Sequence, residues 1–171
     1  TDRRDALRLA QLLARGELKG VWIPDEHTQD LRVLARGKVR ASWWVTRACN
    51  EIGSLLRSWG HPVERSLLSR QGRRMLEEVQ LPGHSQRVLE LWVELLETAE
   101  RMEAELERAV KEEAEQDPAC QVLQSVPQVG PLTALMVRAE VGDVRRFRSA
   151  KALVSYAGLC PRVSQSGEQC R

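Results

Sequence analysis

Asp2 and Asp5 stand three residues apart in Thr1-Asp2-Arg3-Arg4-Asp5-Ala6. On a helix that spacing puts both carboxylates on one face. Oxygen ligands of this kind are what a hard cation such as Mg2+ takes. The same acids also suit an ordinary helix start, where Asp at the N-cap and in the first turn satisfies free amides and the helix dipole. From spacing alone the helix-start role is the stronger.

A second constellation lies at 126–142. Val126-Pro127-Gln128-Val129-Gly130 runs into a helical stretch from Pro131 to Val141, in the outline of a helix-hairpin-helix. In such a turn the backbone around Gly130 and the N-terminus of the next helix can hold a phosphate without reading bases. Arg138, Arg145, Arg146, Arg148 and Lys151 follow closely and suit a duplex backbone. A tight interhelical turn with a solvated basic face fits the same residues equally well.

The third is Ser164-Gln165-Ser166-Gly167. A serine beside glycine could attack a phosphodiester and form a phosphoserine, dividing strand exchange into two steps. No histidine lies near it, so activation would fall to a metal or a distant carboxylate. Read alone, Ser-Gly is a turn.

The elements that would position these groups are helical. Leu, Ala, Glu and Arg abound, and the seven aromatics include five Trp. That composition favours long helices over sheets. A short amphipathic helix is predicted from Asp2 to Arg15, with Gly16 as its stop, and residues 17–27, holding Gly20 and Pro24, form a connector. Asp25 or Thr28 then caps a long helix. In it Leu31, Ala35, Lys38, Ser42, Val45, Cys49, Ile52, Leu56 and Trp59 step by four and three, a heptad seam whose first half is polar. A shorter helix is predicted over Ser69 to Val79. Beyond Leu81-Pro82-Gly83, Val88, Trp92, Leu95, Ala99, Met102, Leu106 and Ala109 form a second seam. Two seams joined by a short connection imply an antiparallel hairpin or a dimerising coiled coil. Asp117-Pro118 ends that helix, and a last helix is expected over Ser149 to Ala157.

The net charge of +2 hides a division along the chain. Residues 1–83 carry fifteen Lys/Arg against ten Asp/Glu, residues 84–116 four against ten, and residues 117–171 seven against four. Basic ends favour phosphate partners, whereas the acidic middle would be repelled by nucleic acid. Cys49, Cys120, Cys160 and Cys170 show no zinc-ligand spacing with His27, His61 or His84, which suits a reduced cytoplasmic interior. No stretch is apolar enough to span a membrane.

Taken in order, the motifs resemble the DEDD-type (Piv/MooV-like) transposases, the recombinases of the insertion sequence 110 family. The resemblance runs through T-D-x-x-D-A and through Arg47, Asn50, Ile52, Leu55 and Leu56. It is most specific from Ala139 to Pro161, A-E-V-G-D-V-R-R-F-R-S-A-K-A-L-V-S-Y-A-G-L-C-P, with Ser166-Gly167 after it. It implies an RNase H-like, RuvC-type domain whose four acids bind Mg2+, a coiled-coil region, and a C-terminal domain with a nucleophilic serine. It also implies homo-oligomers and a guide (bridge) RNA that pairs with DNA. By motif, Asp2 and Asp5 would be the last two acids and Ser166 the nucleophile, with Ser164 the fallback. The first Asp and the Glu are not among these residues, and Gln128 stands where the hairpin usually has Gly.

The resulting expectation is a mainly α chain. Residues 1–24 would be the end of an RNase H-like domain, 25–116 a helical hairpin or coiled coil, and 117–171 the start of a C-terminal transposase domain. The expected protein is a cytoplasmic bacterial DNA transposase, of which this chain would be a fragment inactive alone. Two rival readings remain: a non-catalytic DNA-binding coiled-coil scaffold, and a structural hairpin with a protein partner.

Overall fold

The computed structural model describes residues 2–18, 20–63 and 66–159, together with the backbone of 165–166 and 169–170. The chain is mainly α. In order it forms α1 (Asp2–Ala14), α2 (Glu26–Ser58), α3 (Arg70–Glu78), α4 (Gly83–Gln116), α5 (Pro118–Gln124) and α6 (Pro131–Val141). A 3-10 turn (Val144–Arg146) and α7 (Ala150–Tyr156) follow. The short strands β1 (Gln165–Ser166) and β2 (Gln169–Cys170) pair antiparallel, Ser166 opposite Gln169. Among the described residues no helix is long and apolar enough to cross a membrane.

Helices α2, α3, α5 and α7 begin where a side chain supplies an acceptor for the free amides. Asp25 caps α2, accepting from the Thr28 amide at 2.7 Å. Ser69 caps α3 through the Gly72 amide, and Ser149 caps α7 through Ala152. Asp117 ends α4 and caps α5, taking the Ala119 amide at 2.7 Å. Thr28 itself is buried, one turn inside the helix whose cap the sequence left open between it and Asp25.

Helices α2 and α4 pack as an antiparallel hairpin, each about 50 Å long at 1.5 Å per residue. Two apolar cores lie along it. At the closed end, Val45, Ala48, Ile52 and Leu56 meet Leu89, Leu96 and Ala99, with Leu67, Val79 and Leu81 around α3 closing the tip. At the open end, Leu31 and Ala35 meet Val110 and Ala114, and α5 and α6 add Cys120, Ala134, Leu135 and Ala139. Burying one such Leu contributes about 1.5–3 kcal/mol.

Between the cores the seam is polar. Lys38 lies within 3.1 Å of Glu103 and 3.3 Å of Glu107, and the Ser42 hydroxyl donates to Glu103 at 2.5 Å. This layer explains why the buried stripe of α4 differs from the expected seam. Leu89, Leu96 and Val110 are buried, whereas Val88 and Met102 are 42% and 50% exposed. The seam runs through Glu103 rather than its apolar neighbour Met102. The polar half of the α2 seam was legible, but Trp59 is exposed at the helix end instead of closing it.

Candidate nucleic-acid interface

The basic residues expected to meet phosphate lie on the last turn of α6 and around the corner from α6 to α7, whereas Gly130 stands at the opposite end of α6, about 16 Å away at 1.5 Å per residue. Gly130 is the N-cap of α6, exposed, with open space where a side chain would stand, and Pro131 occupies the first turn. Gln128, just before it, takes a φ of 70°. That left-handed conformation favours glycine. The turn therefore has the backbone geometry expected of a glycine but is built with glutamine.

The five basic residues divide by environment. Arg138 is half-buried and pairs with Asp117 at 2.9 Å, tying α6 to the start of α5. Arg145 forks onto Asp143, whose carboxylate also accepts its amide at 2.9 Å. Those hydrogen bonds hold the Asp143 carboxyl below the usual range. Arg146 is enclosed by rings: its guanidinium lies 4.3 Å from the Trp22 centroid, 4.1 Å from Phe147 and 4.5 Å from Tyr156, while Nε donates to the Val141 carbonyl at 2.9 Å. Arg148 and Lys151 are exposed and have no ion-pair partner among the described residues. They are the cations left open to a phosphate.

Sequence reasoning missed the groups that hold this corner. Trp22, in the connector between α1 and α2, lies over Gly142, where a β-carbon would come within 2.5 Å of its ring. Gly142 has a φ of 63° and ends α6. Arg32 reaches from α2 to the Ala139 carbonyl at 2.9 Å and to Glu140 at 3.3 Å, and the Tyr156 hydroxyl donates to the Glu140 carbonyl. A lone tryptophan in a connector containing Gly20 and Pro24 was the available signal. Beside it an open cleft of about 730 Å³ is lined by Asp25, Asp117, Val122, Arg138 and Val144.

Asp2 and Asp5 occupy the first turn of α1, exposed and one turn apart. No residue of α1 is buried. Among the described residues no group of three or more His, Cys, Asp or Glu could hold a metal. The backbone of Ser166 lies in β1; its side chain and all of Ser164 fall outside the described residues.

Comparison with known proteins follows the same two segments. A sequence model described as "Transposase IS116/IS110/IS902 family" matches residues 120–171, and an IS110-type DEDD model described as "Transposase" matches residues 1–60. The chain belongs to the IS110 family of transposases. Among curated members, the transposase for insertion sequence element IS1111A of Coxiella burnetii is 33% identical across 98% of this chain and 47% of its own length. The "Probable family 20 transposase" of Pseudomonas aeruginosa is 29% identical across 99% of the chain and 52% of its own length. The pilin gene-inverting protein of Moraxella bovis is 27% identical across 81% of the chain and 43% of its own length. This IS110-family chain thus spans about half the length of the curated relatives it matches. No solved structure is a significant match to it.

Proposed function

We propose that this chain belongs to an enzyme that exchanges DNA strands of an insertion sequence, with the α6–α7 corner meeting the DNA backbone. The observation that carries the reading is the pair of family matches, one over the segment of Asp2 and Asp5, the other over that of the basic corner and Ser166. Exposed Arg148 and Lys151, with the open N-terminus of α6 at Gly130, supply backbone-directed contacts that need no base reading. The turn from α5 to α6 would act as a helix-hairpin-helix, and residues 1–24, α1 with its connector, as the close of an RNase H-like domain.

Asp2 and Asp5 are the residues that would hold Mg2+. Two carboxylates one turn apart are suitable oxygen donors and fill part of its shell. The bound ion would neutralise charge building up on the phosphate. Ser166, with Ser164 as the alternative, would attack phosphorus: an Oγ–P bond forms as the hydroxyl gives up its proton, the bond to the leaving strand's oxygen breaks, and a proton is returned to that oxygen, so that the two transfers balance. Asp117 holds the half-buried Arg138 in place, whereas the exposed Arg145–Asp143 pair can exchange for another anion, so that Arg145, Arg148 and Lys151 carry the mobile charge. The α2–α4 hairpin would join protomers so that two DNA ends are held together, and family resemblance adds a guide RNA.

The test has two parts. Electrophoretic shift should show the chain binding duplex DNA with steep salt dependence, and Arg148→Ala with Lys151→Ala should lower the slope by about 2, since each phosphate contact contributes about 0.9. In a strand-exchange assay of the protein that carries this chain, Asp5→Ala and Ser166→Ala should each abolish product. Binding without any loss of exchange in those variants would favour a DNA-holding scaffold. No shift at low salt would overturn the reading altogether.

A further inference from the structure

The outer face of α2 carries a feature that neither core uses. Arg36, Arg40, Trp43 and Arg47 recur at steps of four, three and four, so they form one stripe opposite the buried seam. Trp43 is 55% exposed and Trp44 beside it 44%, their rings edge to face with centroids 4.8 Å apart. Two exposed tryptophans on a helix whose apolar stripe is already covered are not required for folding. The arginines around them have few competitors. Arg36 pairs with Glu140, Arg47 with Glu51 one turn along, and Arg40 has no ion-pair partner among the described residues. Both pairs are surface pairs, which contribute little and exchange readily for another anion. At the open end the stripe runs into a shallow groove lined by Gln29, Arg32, Val33, Arg36 and Arg40, next to the α6 corner.

Flat rings interleaved with arginines suit one kind of ligand: bases that can stack, on a backbone that carries charge. A duplex keeps its bases stacked inside and offers none to a tryptophan. A second copy meeting this face through its own α2 would set arginine against arginine. We propose that the outer face of α2 holds an unpaired DNA strand of the kind strand exchange exposes, with Trp43 and Trp44 stacking on bases and Arg36, Arg40 and Arg47 on phosphates. From Arg36 to Arg47 the stripe is about 16 Å long, enough for a few nucleotides. The inference rests on the strand-exchange reading above, and adds to it a site on the hairpin distinct from the basic corner.

The experiment uses this chain and a labelled thymidine dodecamer, with binding read by fluorescence anisotropy. Replacing both tryptophans, Trp43→Ala and Trp44→Ala, should weaken dodecamer binding at least tenfold while duplex binding and the thermal unfolding curve stay as they were. Trp43→Phe with Trp44→Phe should restore most of the affinity, because a ring is what stacks. Arg40→Gln should lower the single-strand salt slope by about 0.7, the value expected for one phosphate contact. Unchanged dodecamer affinity in the double alanine variant, with duplex binding intact, overturns this inference and leaves the strand-exchange reading standing. Failure to bind either form of DNA overturns both. Tenfold tighter binding of an RNA dodecamer, or a dimer in sedimentation that the alanine pair dissolves without loss of DNA binding, also overturns the assignment, to RNA or to a second copy respectively.

Discussion

Lys38 and Glu103 face each other inside the hairpin, Nζ to Oε1 at 3.1 Å, where a continuous heptad seam would place two apolar side chains. Ser42 donates to the same carboxylate, and Glu107 approaches Lys38 from the next turn. The layer separates the two cores. A charged pair with these extra hydrogen bonds is a registry device: sliding α2 along α4 by one turn would leave the half-buried Lys38 with only one of its two acids. Glu103→Leu should therefore destabilise the chain by about 1–3 kcal/mol, the cost of stranding a hydrogen-bonding group. Adding Lys38→Leu and Ser42→Ala should recover most of that loss by letting the cores merge. Urea unfolding decides it, and a neutral single variant would show that the layer fixes nothing.

The same layer sets a pH window. The Ser42 hydrogen bond, followed by Lys38, holds the Glu103 carboxyl below 4.5 despite burial. Its contribution is therefore present above the unfolded value near 4.5 and is lost as pH falls through the lowered one. Burial alone would lower the Lys38 ammonium, but Glu103 and Glu107 outweigh it and raise it above 10.5. That contribution is full below 10.5 and lost as pH rises through the raised value. Stability measured by urea midpoints should form a plateau between these limits. In Glu103→Gln the acid limb should flatten; an unchanged acid limb would place its cause elsewhere.

Much of this architecture was legible in the sequence because its signals are local. Asp117-Pro118 marks the end of α4 and Gly130-Pro131 the start of α6 by backbone chemistry alone, and α6 occupies the expected Pro131 to Val141, whereas α5, which the same Asp117-Pro118 opens, was read only as a break. The α4 register was not, for a physical reason. Periodicity is read from apolar side chains, and a seam that passes through Glu103 is recognisable only when Lys38 and Ser42 are known to lie opposite. The corner at Trp22 was hidden in the same way. Its contacts with Gly142 and Arg146 join residues more than a hundred positions apart, and no local pattern records such a pairing. At Asp2, Asp5 and Ser166, recognition came from motif order, which geometry does not replace.

Gln128 is a local mismatch between residue and backbone. Its φ of 70° costs a side chain about 1–2 kcal/mol that glycine avoids. Glycine gives part of that back through a more flexible unfolded chain. Gln128→Gly should raise stability by about 0.5–1 kcal/mol and the melting midpoint by a few degrees. A lower midpoint would mean that the glutamine side chain makes up for its own strain.

Cys120 lies fully buried in the open-end core, and burial, with Asp117 next, pushes its thiol up to about 11. Thiolate is the reactive form, so alkylation at pH 8 should be slow until the core opens. Peptide mapping after iodoacetamide treatment should find Cys120 labelled only in step with global unfolding by urea. Rapid labelling in the native chain would show that α5 detaches from the hairpin on its own.

Trp22 and Gly142 should behave as one unit. The ring occupies the space a β-carbon at 142 would need, and Arg32 and Arg146 stack on it at 5.3 and 4.3 Å. Gly142→Ala adds that carbon at a φ of 63° and displaces the ring, so two penalties arrive together: backbone strain and the lost stack. The variant should lose about 2 kcal/mol or more by urea unfolding. Trp22→Ala removes the obstacle along with the stack, so Gly142→Ala in that background should cost only the strain. The double-mutant cycle should therefore show coupling of about 1 kcal/mol, above the 0.3–0.5 kcal/mol within which independent sites add. Additive losses would mean that the connector rests on the corner without holding it.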